Sequence, residues 1–154
     1  MKIILQLLLL TILGSSPVLA QNAPLRQSQF FLKNGLALQG YDAVSYFNGN
    51  KPLKGKSDFT TTYGGVTYRF ANAANLDAFK KAPARYEPQY GGWCAYAMGD
   101  DGSKVEVDPE TFKLDDGKLY LFYNKLFTNT LPKWNKDETR LHRQADENWT
   151  KTFR

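Results

Sequence analysis

Cys94 carries the most reactive side chain in this sequence, and it is the only cysteine. A thiolate is a nucleophile and a soft metal ligand, and Gly91 and Gly92 directly before it let the backbone approach another group closely. Free cysteine is also among the side chains most often buried in a protein core. The sequence therefore leaves three roles open for Cys94: an inert packed side chain, a ligand of a soft metal or haem, and a redox or covalent nucleophile.

Met98 and His142 are the side chains that could join Cys94 in binding a metal ion. In a helix the two sulfurs would lie about 5 to 6 Å apart and could share Cu(I), whereas a strand separates them by roughly 13 Å. Gly92 and the alternating aromatic residues favour a strand. His142, the only histidine, borders the apolar stripe of the last helix, where Asp146 can pair with it. Copper, zinc and iron are the metals considered, and the sequence selects none of them.

Two segments, residues 40–47 and 90–98, place aromatic groups beside a charged or reactive side chain. Asp42 precedes a predicted strand, where its carboxylate can organise a turn by accepting backbone N–H groups, or can face Cys94 or a ligand. If the protein is an enzyme, Cys94 is the nucleophile or redox thiol, with His142 or Asp42 assisting. We expect a small ligand to bind in a cleft lined by both segments, through Tyr41, Asp42, Tyr90, Trp93, Cys94 and Tyr96.

The first 20 residues have the order of a signal peptide. Lys2 gives a positive head, residues 3–13 form an apolar run too short to cross about 30 Å of hydrocarbon, and Ala20 ends a segment suited to a signal peptidase. We predict cleavage after Ala20, a periplasmic or secreted location, and no stable membrane anchor after cleavage. An uncleaved anchor is the alternative. Residues 21–29 are predicted to be a flexible leader before one domain over residues 30–154.

Composition indicates a globular protein whose fold depends on packing. The 154 residues are 42% hydrophobic and 14% aromatic, and a single cysteine gives no intramolecular disulfide. The formal charge of +5 comes from scattered basic residues interspersed with acidic ones, which favours a solvated surface over contact with anionic lipid headgroups or with polyanions such as nucleic acid. We expect a monomer. Phosphate-binding glycine loops, paired-cysteine zinc spacings and dinucleotide fingerprints do not occur in the sequence.

Local patterns predict an α+β fold, in which a small antiparallel sheet of short hairpins is joined by a short mid-chain helix and a C-terminal amphipathic helix. Gly64-Gly65 and the Asp116-Gly117 pair mark two hairpin turns. Asn72 is a predicted helix N-cap, and Asp108-Pro109 predicts a single helical turn. The predicted strands are 43–47, 58–63, 66–70, 112–114 and 119–123, and the predicted helices are 73–82 and 136–153.

Four blocks resemble the exported stand-alone branch of the YHS-domain family. They are GYDxVxYF at 40–47, YGGxCAxA at 90–97, VDP at 107–109 and GKLYLxYN at 117–124, and the resemblance spans about residues 34–150. It implies a compact α+β domain, and it implies metal handling because relatives are attached to heavy-metal transporters or lie beside metal-dependent oxygenases. Metal-associated members have three cysteines where this chain has Ser45, Ala71 and Asn75, so their thiolate site is not predicted here.

Together these features predict an exported YHS-domain protein that acts as a non-enzymatic accessory. It would bind a small ligand or a metal ion in a cleft near Cys94. Two alternatives follow from the same residues: a redox or covalent enzyme that depends on Cys94, and a purely structural or interaction module.

Overall fold

The computed structural model describes residues 22–49 and 51–154, so the predicted signal peptide lies outside the described residues. The fold is α+β, as predicted. The elements, in chain order, are α1 (Ala23–Gln29), β1 (Leu32–Lys33), β2 (Leu36–Ala37), α2 (Ser45–Asn48), β3 (Lys56–Tyr63), β4 (Val66–Phe70), α3 (Ala73–Lys81), α4 (Pro83–Tyr86), α5 (Ala95–Asp100), β5 (Asp108–Asp115), β6 (Lys118–Phe122), β7 (Asn124–Lys125), β8 (Thr128–Asn129), α6 (Leu131–Lys136) and α7 (Glu138–Lys151).

The largest sheet has the strand order β1-β2-β4-β3. Its central hairpin turns at Gly64 and Gly65, whose positive φ angles of 53° and 82° suit a two-residue turn. Alternate residues of β4 (Val66, Tyr68 and Phe70) are buried, which is the pattern of a strand with one face on the core. The predicted hairpin is confirmed. The sheet is not entirely antiparallel, because β2 pairs with β4 in parallel.

A second hairpin, β5–β6, turns at Asp116-Gly117 as the sequence predicted. The helical turn predicted at Asp108-Pro109 is wrong, because β5 begins at Asp108 and its register shifts before Phe112. The capping interaction itself is present: the Asp108 carboxylate accepts hydrogen bonds from the Glu110 backbone N–H at 3.0 Å and from the Thr111 hydroxyl at 2.9 Å. These bonds close a bulge in a strand.

Both predicted helices are present. The Asn72 side chain accepts a hydrogen bond from the Asn75 backbone N–H at 2.9 Å and caps α3, which ends before Pro83. Helix α7 buries Leu141 and Ala145, and it packs closely on α5. Among the described residues, no helix has both the length and the hydropathy needed to cross a bilayer.

Two other local predictions are wrong. Residues 45–48 form the helical turn α2 instead of continuing a strand over 43–47, because the Asp42 carboxylate accepts the Val44 and Ser45 N–H groups and bends the chain. Residues 23–29 form a helix where a flexible leader was predicted. Arg26 docks that helix, since its guanidinium pairs with Glu87 at 2.5 Å.

The core forms two clusters of buried side chains. The first lies against the large sheet and includes Phe70, Phe79 and Cys94. The second fills the space between β6 and the C-terminal helices and includes Met98 and Trp134. The segment that joins the two clusters, residues 94–98, was predicted to be a strand. It makes a single bridge to β6 at Leu121 and then enters α5.

Candidate functional site

Asp42 is completely buried, and its carboxylate accepts four hydrogen bonds. One oxygen accepts the Val44 and Ser45 N–H groups at 2.8 and 3.2 Å. The other accepts the Ala71 N–H at 2.8 Å and the Asn75 side-chain amide at 2.7 Å. These bonds assign to Asp42 the turn-organising role, the first of the two that the sequence left open. Its oxygens are not available to a ligand.

Ser45, Ala71 and Asn75, which stand where metal-associated relatives have cysteines, all lie around this carboxylate. The Ser45 hydroxyl donates to the Asp42 carbonyl oxygen at 2.7 Å and accepts the Leu53 N–H at 2.9 Å. A metal ion needs lone pairs from its ligands, whereas these residues present N–H donors to one buried anion. The residues present therefore do not fit the metal ion that the family implies.

Cys94 is also completely buried. Its sulfur accepts the Tyr123 backbone N–H at 3.4 Å and lies 3.4 Å from the Thr130 hydroxyl oxygen. Because that hydroxyl donates to the Tyr123 carbonyl at 3.1 Å, the thiol is left as the donor to Thr130. The sulfur is therefore a hydrogen-bonded member of the core, and among the described residues it has no exposed surface that a solute in the predicted cleft could reach.

The predicted metal ligands are not brought together. Cys94 is the N-cap of α5, and the Met98 N–H donates to its carbonyl oxygen at 3.0 Å, so the two residues have the helical spacing and not that of a strand. Their side chains nevertheless pack in different core clusters, Cys94 in the first and Met98 in the second. His142 hydrogen-bonds Tyr120 at 2.9 Å and lies 3.7 Å from Asp146. In the part of the chain that the structure describes, no group of three or more His, Cys, Asp or Glu side chains could hold a metal ion.

The aromatic residues predicted to line one cleft lie in different places. The Tyr90 hydroxyl donates to Asp146 on α7 at 2.9 Å. The Trp93 indole donates to the Gln29 carbonyl oxygen at the end of α1 at 2.7 Å. Tyr96 lies under the ammonium of Lys133, 5.8 Å from the centre of its ring. Of the six predicted residues, Tyr41 is the one that lines the cleft described next.

This cleft has a volume of about 440 Å³ and opens beside the large sheet. Three of its lining residues are cations: Lys33 lies on β1, Lys54 lies just before β3 and Arg69 lies on β4. Among the described residues, no carboxylate lines the cleft. We call it the cationic cleft. Its complete lining is Lys33, Asn34, Leu36, Gln39, Gly40, Tyr41, Lys54, Gly55, Arg69 and Pro109.

Unusual backbone geometry shapes the cationic cleft. Leu38, Gln39 and Gly40 form a left-handed turn, with φ angles of 53°, 54° and 83°. Non-glycine residues rarely adopt this region, and such outliers concentrate at functional sites. On the opposite side, a Cβ atom at Gly55 would lie 2.5 Å from the Cβ of Arg69, so only glycine lets this wall approach β4. The shape of the cleft therefore depends on this left-handed turn and on the glycine at position 55.

The cationic groups of the cleft have weak partners or none. The Lys33 ammonium contacts the Gln39 side-chain carbonyl at 3.4 Å, and the Lys54 ammonium lies 5.9 Å from the Tyr41 ring centre. Within the described residues none of the three cations forms an ion pair. The Nε atom of Arg69 is buried and has no hydrogen-bond partner there. A buried, unpaired guanidinium donor is costly unless an acceptor completes it.

Tyr41 borders the cleft as a hydroxyl donor. Its hydroxyl lies 3.3 Å from Glu110. Partial burial, the charge of Glu110 and the hydrogen bond to it raise the pKa of Tyr41 above its ordinary value, so the phenol keeps its proton at neutral pH. Lys51 pairs with the same carboxylate at 3.5 Å, which limits the negative potential that Glu110 adds near the cleft.

Sequence reasoning found Tyr41 but missed the three cations. They lie in separate parts of the chain, and the sequence around each lysine or arginine does not show that other cations lie beside it in the folded protein. The available signals were the Asn34-Gly35 turn pair and the glycines at 40 and 55, which mark close backbone approaches.

Comparison with known proteins gives one family match. The family model described as YHS domain matches residues 44–90, which run from α2 to the turn before α5. This match supports the resemblance seen in the sequence blocks. Searches of curated proteins and of solved structures give no match. The matched segment includes Lys54, Gly55 and Arg69, which form one wall of the cationic cleft.

Proposed function

We propose, from the premise that this chain is a YHS-domain protein, that it is an exported accessory protein that binds a small anionic ligand in the cationic cleft. The observation that carries the proposal is Arg69, a cation in the cleft wall whose buried Nε has no partner among the described residues. A carboxylate or phosphate is the natural complement of a guanidinium, because its oxygens can accept two parallel N–H bonds.

The remaining lining supports the same ligand class. Lys33 and Lys54 add two positive charges without a neutralising carboxylate in the lining. Asn34, Gln39 and Tyr41 add polar groups that can orient a small molecule, and the volume of about 440 Å³ suits one. Clefts lined by charge of one sign concentrate counter-ions and raise their association rates.

Binding, as opposed to catalysis, is favoured by the chemistry of the lining. The cations, amides and phenol of the cleft are suited to recognition, and its described lining offers no thiol, imidazole or carboxylate as a nucleophile or general base. Cys94, the nucleophile of the enzyme alternative, is sealed in the core. We therefore move the proposed ligand site from Cys94 to Arg69.

The binding test uses inorganic phosphate, sulfate and succinate as probes, titrated calorimetrically into the purified protein at low ionic strength. We expect at least one probe to bind and to raise the melting temperature. Arg69→Gln should weaken that binding about tenfold or more, since a charge-assisted pair is lost. Arg143→Gln removes an equal charge from the exposed face of α7 and should change binding less than about twofold. No binding by any probe, or unchanged binding by Arg69→Gln, would overturn the proposal.

Export is a separate part of the proposal and has its own test. Expression of the full chain in a bacterium, followed by intact-mass measurement of the periplasmic fraction, should give the mass of a chain that begins at Gln21. A full-length protein retained in the cytoplasm or membrane fraction would contradict export while leaving the anion site unaffected.

A further inference from the structure

The three cations of the cationic cleft lie on segments whose backbones are held by pairing. Lys33 lies in the β1–β2 hairpin, Lys54 makes an isolated antiparallel bridge to Tyr41, and Arg69 lies in the β3–β4 hairpin. Three separate segments therefore bring positive charges to one cleft. Like charges held near one another repel, so a bound anion would lower the electrostatic energy of the folded protein.

The groups next to these cations do not neutralise them. The Gln39 side-chain amide donates to the Val107 carbonyl oxygen at 2.8 Å, and its own oxygen lies 3.4 Å from the Lys33 ammonium, so this partner is neutral. Glu110 lies outside the lining and already pairs with Lys51 at 3.5 Å. A ligand with one negative charge would compensate one of the three cations, whereas a dianion would compensate two.

Apolar surface also lines the cationic cleft. Leu36, Tyr41 and Pro109 belong to the lining, and each keeps part of its surface exposed. An inorganic ion would leave this surface in water, whereas a small organic group attached to the anion would cover it and gain affinity from its burial. The volume of about 440 Å³ can hold an anionic group together with such a substituent.

We propose that the ligand of the cationic cleft is a soluble phosphate monoester with a small organic group, bound as the dianion. This inference rests on the proposed function and adds to it the charge and chemical form of the ligand. A phosphate monoester has three terminal oxygens, so it can accept hydrogen bonds from a guanidinium and from ammonium groups that approach from different segments. A carboxylate offers two oxygens in one plane and a single charge.

The test compares phenyl phosphate with phenyl sulfate, which have nearly the same shape and differ by one negative charge near neutral pH. Calorimetric titration of the purified protein, processed after export, is carried out at about pH 7.5 and low ionic strength. We expect phenyl phosphate to bind about tenfold or more tightly than phenyl sulfate, because its second charge meets a second cation. Inorganic phosphate should bind more weakly than phenyl phosphate, because it covers no apolar surface.

The pH dependence identifies the charge on the ligand. A phosphate monoester gains a proton below its second pKa of about 6, so the preference over phenyl sulfate should nearly vanish at about pH 5. The charged residue types that line the cleft, lysine and arginine, and the tyrosine beside them do not ordinarily change charge over this range. The carboxylates of Glu110 and Asp108, which lie near Tyr41 outside the lining, ordinarily titrate at lower pH.

Lysine variants connect that preference to the cleft. Lys33→Gln and Lys54→Gln should each reduce the preference for phenyl phosphate over phenyl sulfate by about threefold or more. Lys81→Gln removes the same charge from an exposed position of α3 outside the lining and should leave the preference within about twofold of the wild type. Thermal melts verify that all three variants are folded.

The outcomes separate this inference from the proposed function. Equal affinities of the two phenyl esters, or a preference that both cleft variants retain in full, would overturn the phosphate monoester and leave a general anion site. Tighter binding of succinate than of phenyl phosphate would assign a dicarboxylate instead. Sedimentation with vesicles that contain phosphatidic acid would assign the phosphate to a lipid headgroup and overturn the soluble ester. Binding of none of these anions would overturn the proposed function as well.

Discussion

The side-chain amide of Asn75 donates a hydrogen bond of 2.7 Å to the carboxylate of Asp42, although 33 positions separate the two residues in the chain. The same carboxylate oxygen accepts the Ala71 N–H at 2.8 Å. Asp42 therefore joins the loop before α2 to the end of β4 and the start of α3. Each of the four donors offsets part of the cost of burying this carboxylate, so the cluster holds the start of the matched YHS segment against the end of β4 and the start of α3.

Asp42→Ala should be among the most destabilising single substitutions in the chain. It leaves the Val44, Ala71 and Asn75 donors without their acceptor, and we expect a loss of about 3 to 5 kcal/mol in the free energy of unfolding. Asn75→Ala removes one donor and should cost about 1 to 2 kcal/mol. Urea denaturation measures both. Asp77→Ala, an exposed aspartate on α3, is the control and should stay within about 0.5 kcal/mol. A mild effect of Asp42→Ala would mean that the cluster is not structural.

Periodicity and turn residues were sufficient for most of the fold. The Gly-Gly and Asp-Gly hairpins, the Asn72 cap and the apolar stripe at Leu141 depend on local chemistry that a sequence displays directly. The incorrect predictions concern segments whose conformation is determined by contacts with residues that are distant in the sequence. The chain bends after Asp42, whose carboxylate is also bound by Ala71, just after β4, and by Asn75 on α3. Helix α1 is held by the bond from Arg26 to Glu87, 61 residues further along the chain.

The candidate site was harder to predict for a related reason. Cys94 attracted a functional interpretation because its side chain is intrinsically reactive, but reactivity depends on exposure, and exposure is a property of the fold. No single residue of the cationic cleft is unusual in the sequence. The cleft becomes a candidate site because the fold brings three cations from separate elements together. Arg69 alternates with buried residues on β4, so the strand pattern predicts a side chain that faces solvent. That pattern gives no indication that the Arg69 Nε atom is buried.

Cys94 should react with alkylating reagents only when the protein opens. Its sulfur is completely buried and hydrogen-bonded, so we expect labelling in native buffer to be slower by about a thousandfold or more than in concentrated urea. Mass spectrometry after timed quenching measures the rate. Cys94→Ala should lower stability by about 1 to 2 kcal/mol and leave phosphate, sulfate and succinate binding unchanged. Rapid native labelling, or loss of anion binding in Cys94→Ala, would return the ligand site to this residue.

The Lys113–Glu138 pair should make stability fall in acid. The Lys113 ammonium donates to both Glu138 oxygens at 2.6 Å and the Trp134 indole donates at 2.9 Å, and these bonds hold the pKa of Glu138 below its ordinary value. A carboxyl with a depressed folded pKa stabilises the protein above its unfolded pKa, and this contribution is lost as pH falls through the folded pKa.

Glu138→Gln should therefore reduce the difference in stability between pH 7 and pH 3, by about 1 kcal/mol or less because the pair is partly exposed. Urea midpoints at the two pH values measure the difference. Glu147→Gln, an exposed carboxylate on the same helix, should leave the pH dependence as it is in the wild type. The same acid sensitivity in Glu138→Gln as in the wild type would show that the pair does not contribute.

Gly99→Ala should separate α5 from α7. A Cβ atom at Gly99 would lie 2.9 Å from the carbonyl carbon of Leu141 and closer still to its oxygen, so the backbone of a long helix must move. Overpacking of this kind costs about 1 to 3 kcal/mol, more than the roughly 1 kcal/mol that alanine gains over glycine in a helix.

Gly49→Ala is the matched control, because its φ is extended and no atom lies within 4 Å of the added methyl group. Thermal and urea unfolding should show a clear loss for Gly99→Ala and almost none for Gly49→Ala. Equal stability of the two variants would mean that α5 and α7 do not pack as closely as the backbone contact at Gly99 requires.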